Sequence, residues 1–364
     1  MTLLGECTDT RHRSRYLFIM MSFNLASEFV SFALAYMVLS LEFRIPIPWM
    51  GITYRPWRLF TLIMALPLGG GALLMYYLYE SPKYLANKGE SAKALDVLQK
   101  IYEFNGGKRE NYPVHHIVTP HDGLNENQSF WSSVIKHPVP IFRPPLLKIT
   151  GKLFFLMALC CSVNNVYAMW YPTIANFFFD SLSEGWTTDM SFCERIRDIS
   201  SSTHVENSVC KDTISDFTMY SGMIYGLFFC TLNLAVAKIA SRRRLVLITT
   251  LAVAGVSGVL VDSNQPIANM VFFTLLQATS LGLGCVASYF VDMYPTSYRG
   301  IATSLGVMVA RIASFAGVNL IAAVITDHCR LTFYCSSAFV FSGIIVTLFL
   351  PSDTKTVDKS STNL

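Results

Sequence analysis

The stretch Pro266–Gly300, PIANMVFFTLLQATSLGLGCVASYFVDMYPTSYRG, decides the fold class. Its first charged side chain is Asp292, and the preceding run is longer than the roughly 20 apolar residues that cross the ~30 Å hydrocarbon core of a bilayer. A soluble domain has nowhere to bury such a segment. Seven further runs read the same way, and the eight spans lie at 16–41, 57–79, 153–178, 218–240, 244–262, 266–293, 300–325 and 331–350. Strands are excluded because the runs are too long and a lone strand cannot satisfy its backbone in lipid. The expected fold class is an all-α membrane protein, a helical bundle of about eight transmembrane helices.

Composition agrees. Of 364 residues, 52% are apolar and only 14% are charged, against about 25% charged in an average soluble domain; mean hydropathy is +0.42. A net charge of +4 spread through loops does not point to a polyanion, so nucleic acid is not an expected partner and the lipid bilayer is. No phosphate-cradling glycine loop with lysine and no nucleophile motif is present, so the chain is not expected to be an enzyme and no cofactor is implied.

Orientation follows the basic residues. Of the 28 Lys and Arg, twenty fall on the N-terminal side of the spans and six on the other, with Arg58 and Arg311 inside spans. This places both termini in the cytosol. Cys193 and Cys210 share one outward loop, 17 residues apart, and suggest a disulfide, with Cys329 as a competitor on the same side.

The spans group as 2 + 6. Residues 1–79 hold two, 80–152 form a cytosolic linker, 153–350 hold six, and 351–364 are a tail. Within the linker, Ala94, Leu95, Leu98, Ile101 and Tyr102 recur at helical spacing opposite Lys93, Asp96, Gln99, Lys100 and Glu103, which predicts an amphipathic helix ended by Asn105-Gly106-Gly107. His115, His116 and His121 lack carboxylate or Cys partners and are read as loop residues, not metal ligands.

Three strings sit at cytosolic span ends. They are Gly5-Glu6 with Arg11, Arg13 and Arg15, then Glu80-Ser81-Pro82-Lys83-Tyr84-Leu85, and Tyr294-Pro295-Thr296 followed by Arg299-Gly300. Together they resemble the major facilitator superfamily, and within it the synaptic vesicle glycoprotein 2 and organic cation/anion transporter branch. The resemblance implies a major facilitator-type bundle whose N-terminal half is incomplete, the first span corresponding to the family's fifth helix. It implies gating roles for Glu6, Arg13, Glu80, Ser81, Pro82, Arg242, Arg243, Asp292, Arg299 and Gly300, as charges that pair and part at the inner gate. Pro295 and Gly300 are expected to make a tight turn. The run Arg242-Arg243-Arg244 lacks the family's usual acid and glycine, which weakens the gate expected there.

Ionisable residues inside spans are functional hypotheses by default. Glu28 and Arg311 are candidates for binding solute, carrying coupling charge or pairing within the bundle. The resemblance makes the third and sixth spans cavity walls. Asn164, Asn165 and Tyr167 on one and Gln277 on the other are the substrate-binding candidates, alongside Glu28 and Arg311. The function implied is transport of a small organic solute, an organic ion included, by alternating access, facilitated or ion-coupled, in a plasma or vesicle membrane. A non-transporting glycoprotein-like protein and a truncated fragment are the alternatives. Thr362-Asn363-Leu364 offers a weak match to scaffold-domain ligands.

Overall fold

A chain in lipid must satisfy its backbone internally, and this one does so with helices. A computed structural model describes residues 8, 13–117, 138–183, 191–203, 215–239 and 242–351. In chain order the helices are α1 (Arg13–Leu39), α2 (Pro56–Tyr77), α3 (Pro82–Asn87), α4 (Ser91–Phe104), α5 (Leu147–Ser183), α6 (Phe192–Thr203), α7 (Asp216–Ala237), α8 (Arg243–Leu260), α9 (Pro266–Leu276), α10 (Thr279–Met293), α11 (Thr296–Val324) and α12 (Cys329–Leu348). Two short strands, β1 (Ile45–Ile47) and β2 (Ile52–Tyr54), pair antiparallel between α1 and α2.

All eight expected spans are helical and long enough to cross a membrane. One differs in detail. The run 266–293 is not one helix but α9 followed by α10, with Gln277 and Ala278 bonded back to Thr274 and Leu275 in a tighter turn. A hydropathy reading cannot see a break that leaves the segment apolar.

The core of the C-terminal six spans is built around α5. It packs on α11, α10, α12 and α7, and its apolar face carries Leu153, Leu156, Leu159 and Cys160, all fully buried. Tyr167 stacks on Phe333 at 5.8 Å between ring centroids and meets Phe273 edge-on at the same distance. By contrast α2 has no buried residue and lies along α1, with Leu62, Leu66, Leu73 and Leu74 exposed. Apart from its contact with α1, no other described helix packs extensively on it.

The amphipathic helix expected here is α4, and a second, shorter helix, α3, precedes it. Gly89, at φ +88, turns the chain between α3 and α4, and Gly106, at φ +92, ends α4 as expected. The buried contact runs through Ala94 and Val97 against Leu85 and Ala86, so the buried face is rotated from the Leu95–Leu98 stripe expected. Lys100, bonded to Asp96, holds that carboxyl below the usual range, and Arg109 adds to the effect.

The disulfide expectation needs correction. Cys193, at the start of α6, is bonded to Cys329 at the start of α12, with Cα atoms 5.5 Å apart; Cys210 lies outside the described residues. The pairing follows from how α6 is held. Asp262 accepts the Cys193 N–H at 2.9 Å and also pairs with Arg330, whose guanidinium donates to Ser191 Oγ at 3.0 Å and Glu194 Oε1 at 3.3 Å. These contacts bring residue 193 to the head of α12.

A peptide map of the unreduced protein should join the Cys193 peptide to the Cys329 peptide. Cys193→Ser and Cys329→Ser should each lower stability by about 2–4 kcal/mol, whereas Cys210→Ser should leave the thermal midpoint unchanged. A 193–210 linkage would overturn the pairing.

Candidate functional site

Helices in a bilayer gain little from apolar contact with each other, because lipid is equally apolar; small residues and hydrogen bonds decide where they meet. The most extensive contact of this kind outside the hairpins joins α1 to α7, the first span to the fourth. The two run antiparallel. At one end Tyr220 donates to the Tyr36 hydroxyl at 3.0 Å. In the middle Gly222 lies under the Phe32 ring, and Gly226 lies against the backbone of Phe29 and Glu28. At the other end Asn233 donates to the Phe18 carbonyl at 2.9 Å and to Ser22 Oγ at 3.0 Å. The spacing Gly222-x-x-x-Gly226 is a small-residue pattern that lets two backbones approach closely, and it was readable in the sequence. Its partners across the seam, 184 to 215 residues away in the chain, were not.

Glu28 sits in this seam, partly buried. Tyr225 and Tyr171, 5.0 Å apart between ring centroids, wall a recess of about 170 Å³ completed by Ser221, Ile224, Phe228, Met270 and Thr274. Ile224 and Phe228 are exposed, so the recess opens on the outer surface of the bundle.

The other candidates are dispersed. Asn165 donates to Ser314 Oγ and Cys161 Sγ, each at 3.2 Å, and so links α5 to α11. Tyr167 donates to Ser336 Oγ at 2.6 Å within the aromatic core. Both are occupied in packing, a correction to the cavity-lining role expected of them. Gln277 is fully buried at the α9–α10 break, and neither amide atom has a hydrogen-bond partner among the described residues. Asn164 Oδ1 is likewise buried without one. Arg311 is exposed on α11.

At the end bearing the sequence strings, Arg243 is the organising residue. It is 5% exposed. Its guanidinium pairs with Asp292, donates to Ser288 Oγ at 2.9 Å and lies over the Tyr289 ring at 4.8 Å. The acid missing beside Arg242-Arg243-Arg244 in the sequence is thus supplied from another helix: Arg243 of α8 is the cation of this pair and Asp292 of α10 the acid. Arg242 is exposed. Tyr294 donates to Thr150 Oγ1 at 2.8 Å, and Arg299, buried, donates to the Tyr294 carbonyl at 3.4 Å.

The expected tight turn also needs correction. Pro295 is the extended residue before α11, while Gly300 lies inside that helix with open space where a Cβ would stand. Ser81 accepts the Tyr84 N–H at 3.4 Å and caps α3, whose first residue is Pro82; these two make a helix start. Glu80 is exposed and Arg13 opens α1. Glu6 lies outside the described residues.

Removing one partner of a buried ion pair strands the other. Arg243→Met should lower stability by about 3 kcal/mol, and Arg243→Met with Asp292→Leu should cost less than the sum of the single changes, read by thermal unfolding in detergent.

Among solved structures, the chain is similar to a major facilitator superfamily proton:xylose symporter bound to 6-bromo-6-deoxy-D-glucose, with TM-score 0.59 and 14% identity over 96% of this chain and 67% of that one. No protein-family model matches the sequence, and no curated protein does. The likeness is one of architecture: this chain has the helical-bundle fold of the major facilitator superfamily.

Proposed function

We propose that this chain is a secondary transporter that moves a small organic solute by alternating access, as a uniporter or coupled to an ion. The α1–α7 seam carries the reading. It has a close glycine crossing in its middle and one set of directional bonds at each end. Tilting α1 against α7 about the crossing would stretch one end while leaving the other closed. The Tyr36–Tyr220 bond and the Asn233–Ser22 bonds would then part alternately, while the Gly226–Phe29 backbone contact persists. A rocking transporter needs this arrangement, and a rigid structural bundle does not.

The fold supports the same reading, since its solved neighbour is a proton:xylose symporter. Glu28, Asn164, Gln277 and Arg311 are the residues we assign to the solute path. All four are polar side chains within spans, and no hydrogen bond or ion pair from their side chains is formed among the described residues. We place the Arg243–Asp292 end in the cytosol, as the positive-inside bias supports. The Cys193–Cys329 bond at the opposite end fits an oxidising compartment outside it. The membrane is then the plasma membrane or that of a secretory vesicle.

The seam gives the test. A Cβ on Gly226 would meet the Phe29 backbone, which cannot turn aside, whereas one on Gly222 would meet the Phe32 ring, which can rotate. In vesicles reconstituted with the full chain, uptake of D-xylose, tetraethylammonium and benzoate is measured against protein-free vesicles. At least one should enter. Gly226→Ala should cut that uptake by roughly tenfold or more, Gly222→Ala by much less, with both variants inserted equally. Equal uptake by both variants would refute the pivot, and no entry of any solute class would refute transport of these classes.

A further inference from the structure

The connection from α1 to α2 is a built element. Leu39 ends one span and Pro56 begins the next. Between them, Ile45 pairs with Tyr54, Pro46 with Thr53 and Ile47 with Ile52. The tip is a single 3₁₀ turn, Pro48–Met50, closed by Gly51 at φ +63, a left-handed position that suits glycine. Phe43 stacks on Tyr54 with ring centroids 6.0 Å apart.

Two features of this hairpin conflict with an aqueous setting. A lone two-stranded hairpin is marginally stable in water, and these strands are only three residues each. Its apolar side chains are also turned outward. Trp49 is 84% exposed, and Ile45 and Met50 are exposed beside it. The hairpin has no extensive packing against any other element among the described residues. No described residue of the chain covers it.

Position decides what does. Both feet of the hairpin stand where a span leaves the hydrocarbon. From Pro56 to Trp49 the extended chain reaches at most about 23 Å at 3.3 Å per residue, and the paired strands shorten that to roughly 10–13 Å. The headgroup layer adds about 5–8 Å on each side of the hydrocarbon, so a hairpin of this reach inclined toward the membrane plane would keep its tip in that layer. Arg44 and Arg55, both exposed, flank it, and Trp57, with Arg58 over its ring at 4.9 Å, marks the same level at the start of α2. An indole rim with flanking arginines is the composition that settles at a membrane–water interface.

We infer that the 44–55 hairpin is a membrane-interface anchor, with Trp49 and Met50 seated among the lipid headgroups of the leaflet that α1 and α2 leave. This goes beyond the transport reading and does not depend on it. The anchor fixes the depth of α2, a helix with no buried residue to fix it otherwise.

The test uses the full chain in phosphatidylcholine vesicles. Emission of Trp49→Phe is subtracted from that of the unchanged protein, which isolates the Trp49 signal; equal thermal midpoints confirm that the variant is folded. The difference signal should fall about twofold when the lipid carries bromine near the top of its acyl chains, and it should respond less to iodide in the water. Quenching by iodide as strong as or stronger than that by brominated lipid would overturn the proposal. So would shielding from both, because a protein rather than lipid would then cover the tip.

Discussion

In this molecule the approach of α1 to α7 is set by what is missing from Gly226, a Cβ that would strike the Phe29 backbone. Lipid supplies no hydrophobic force to press helices together, so a contact must be gained by closeness and hydrogen bonds. The same device recurs elsewhere in the bundle. Gly284 admits the Phe18 ring between α10 and α1, and Gly317 receives Val166 between α11 and α5. These contacts position α5, α10 and α11 around the core, and through Phe18 and Gly226 they tie the first span to that core. The polar bonds are few and lie at the ends, where they specify register more than they supply energy.

What the sequence made legible follows from this physics. The eight spans were readable because each sums the same preference over about 20 positions, which no local accident reverses. Span ends were readable where a turn residue or charge marked them, as at Pro266 and Pro295. Gly222-x-x-x-Gly226 is legible as a small-residue pattern, but nothing local names the helix it meets. The α9–α10 break was not legible, because Gln277-Ala278-Thr279-Ser280 is too short to lower a span-length average. Arg243 is the instructive case. Judged against a family pattern it looked incomplete, yet its acid comes from Asp292, 49 residues on. A charge network is a property of the packed bundle, so an adjacent acid is not required. Cys193 found Cys329 over 136 residues for the same reason.

The two ends of the bundle are built differently, and the difference bears on the proposed rocking. One end is tied covalently and by the Arg330–Asp262 pair, which hold α6 across α8 and α12. These ties lie within the six-span group and do not restrain α1. The other end is tied by Arg243 to Asp292 and by Lys152 to the Phe349 carbonyl at 2.8 Å, again within that group. The strongest links thus stiffen the six spans as one body. Among the described residues, the hydrogen bonds that join that body to α1 along the α1–α7 seam are neutral, each worth about 0.6 kcal/mol on average in a membrane, and no ion pair or covalent link accompanies them. A hard body with a soft seam is the mechanical condition for one part to tilt against the other.

Arg311 shows where water would enter such a machine. The face of α11 packed on α5 carries Ala310, Ser314 and Gly317. Arg311 stands to one side of that face, with Ser304 two turns below it on the same exposed stripe. Ile312 and Leu320 lie on the far side and are exposed as well. A guanidinium held toward acyl chains costs several kcal/mol, so charged residues within spans face a water-filled space or a partner. Ile312 and Leu320 suit lipid; Ser304 and Arg311 do not. The stripe through Ser304 and Arg311 also carries Met308 and Phe315, 52% and 74% exposed, so it is the guanidinium of Arg311, and not the stripe as a whole, that calls for water or a partner, and Arg311 is the residue of α11 that we assign to the solute path.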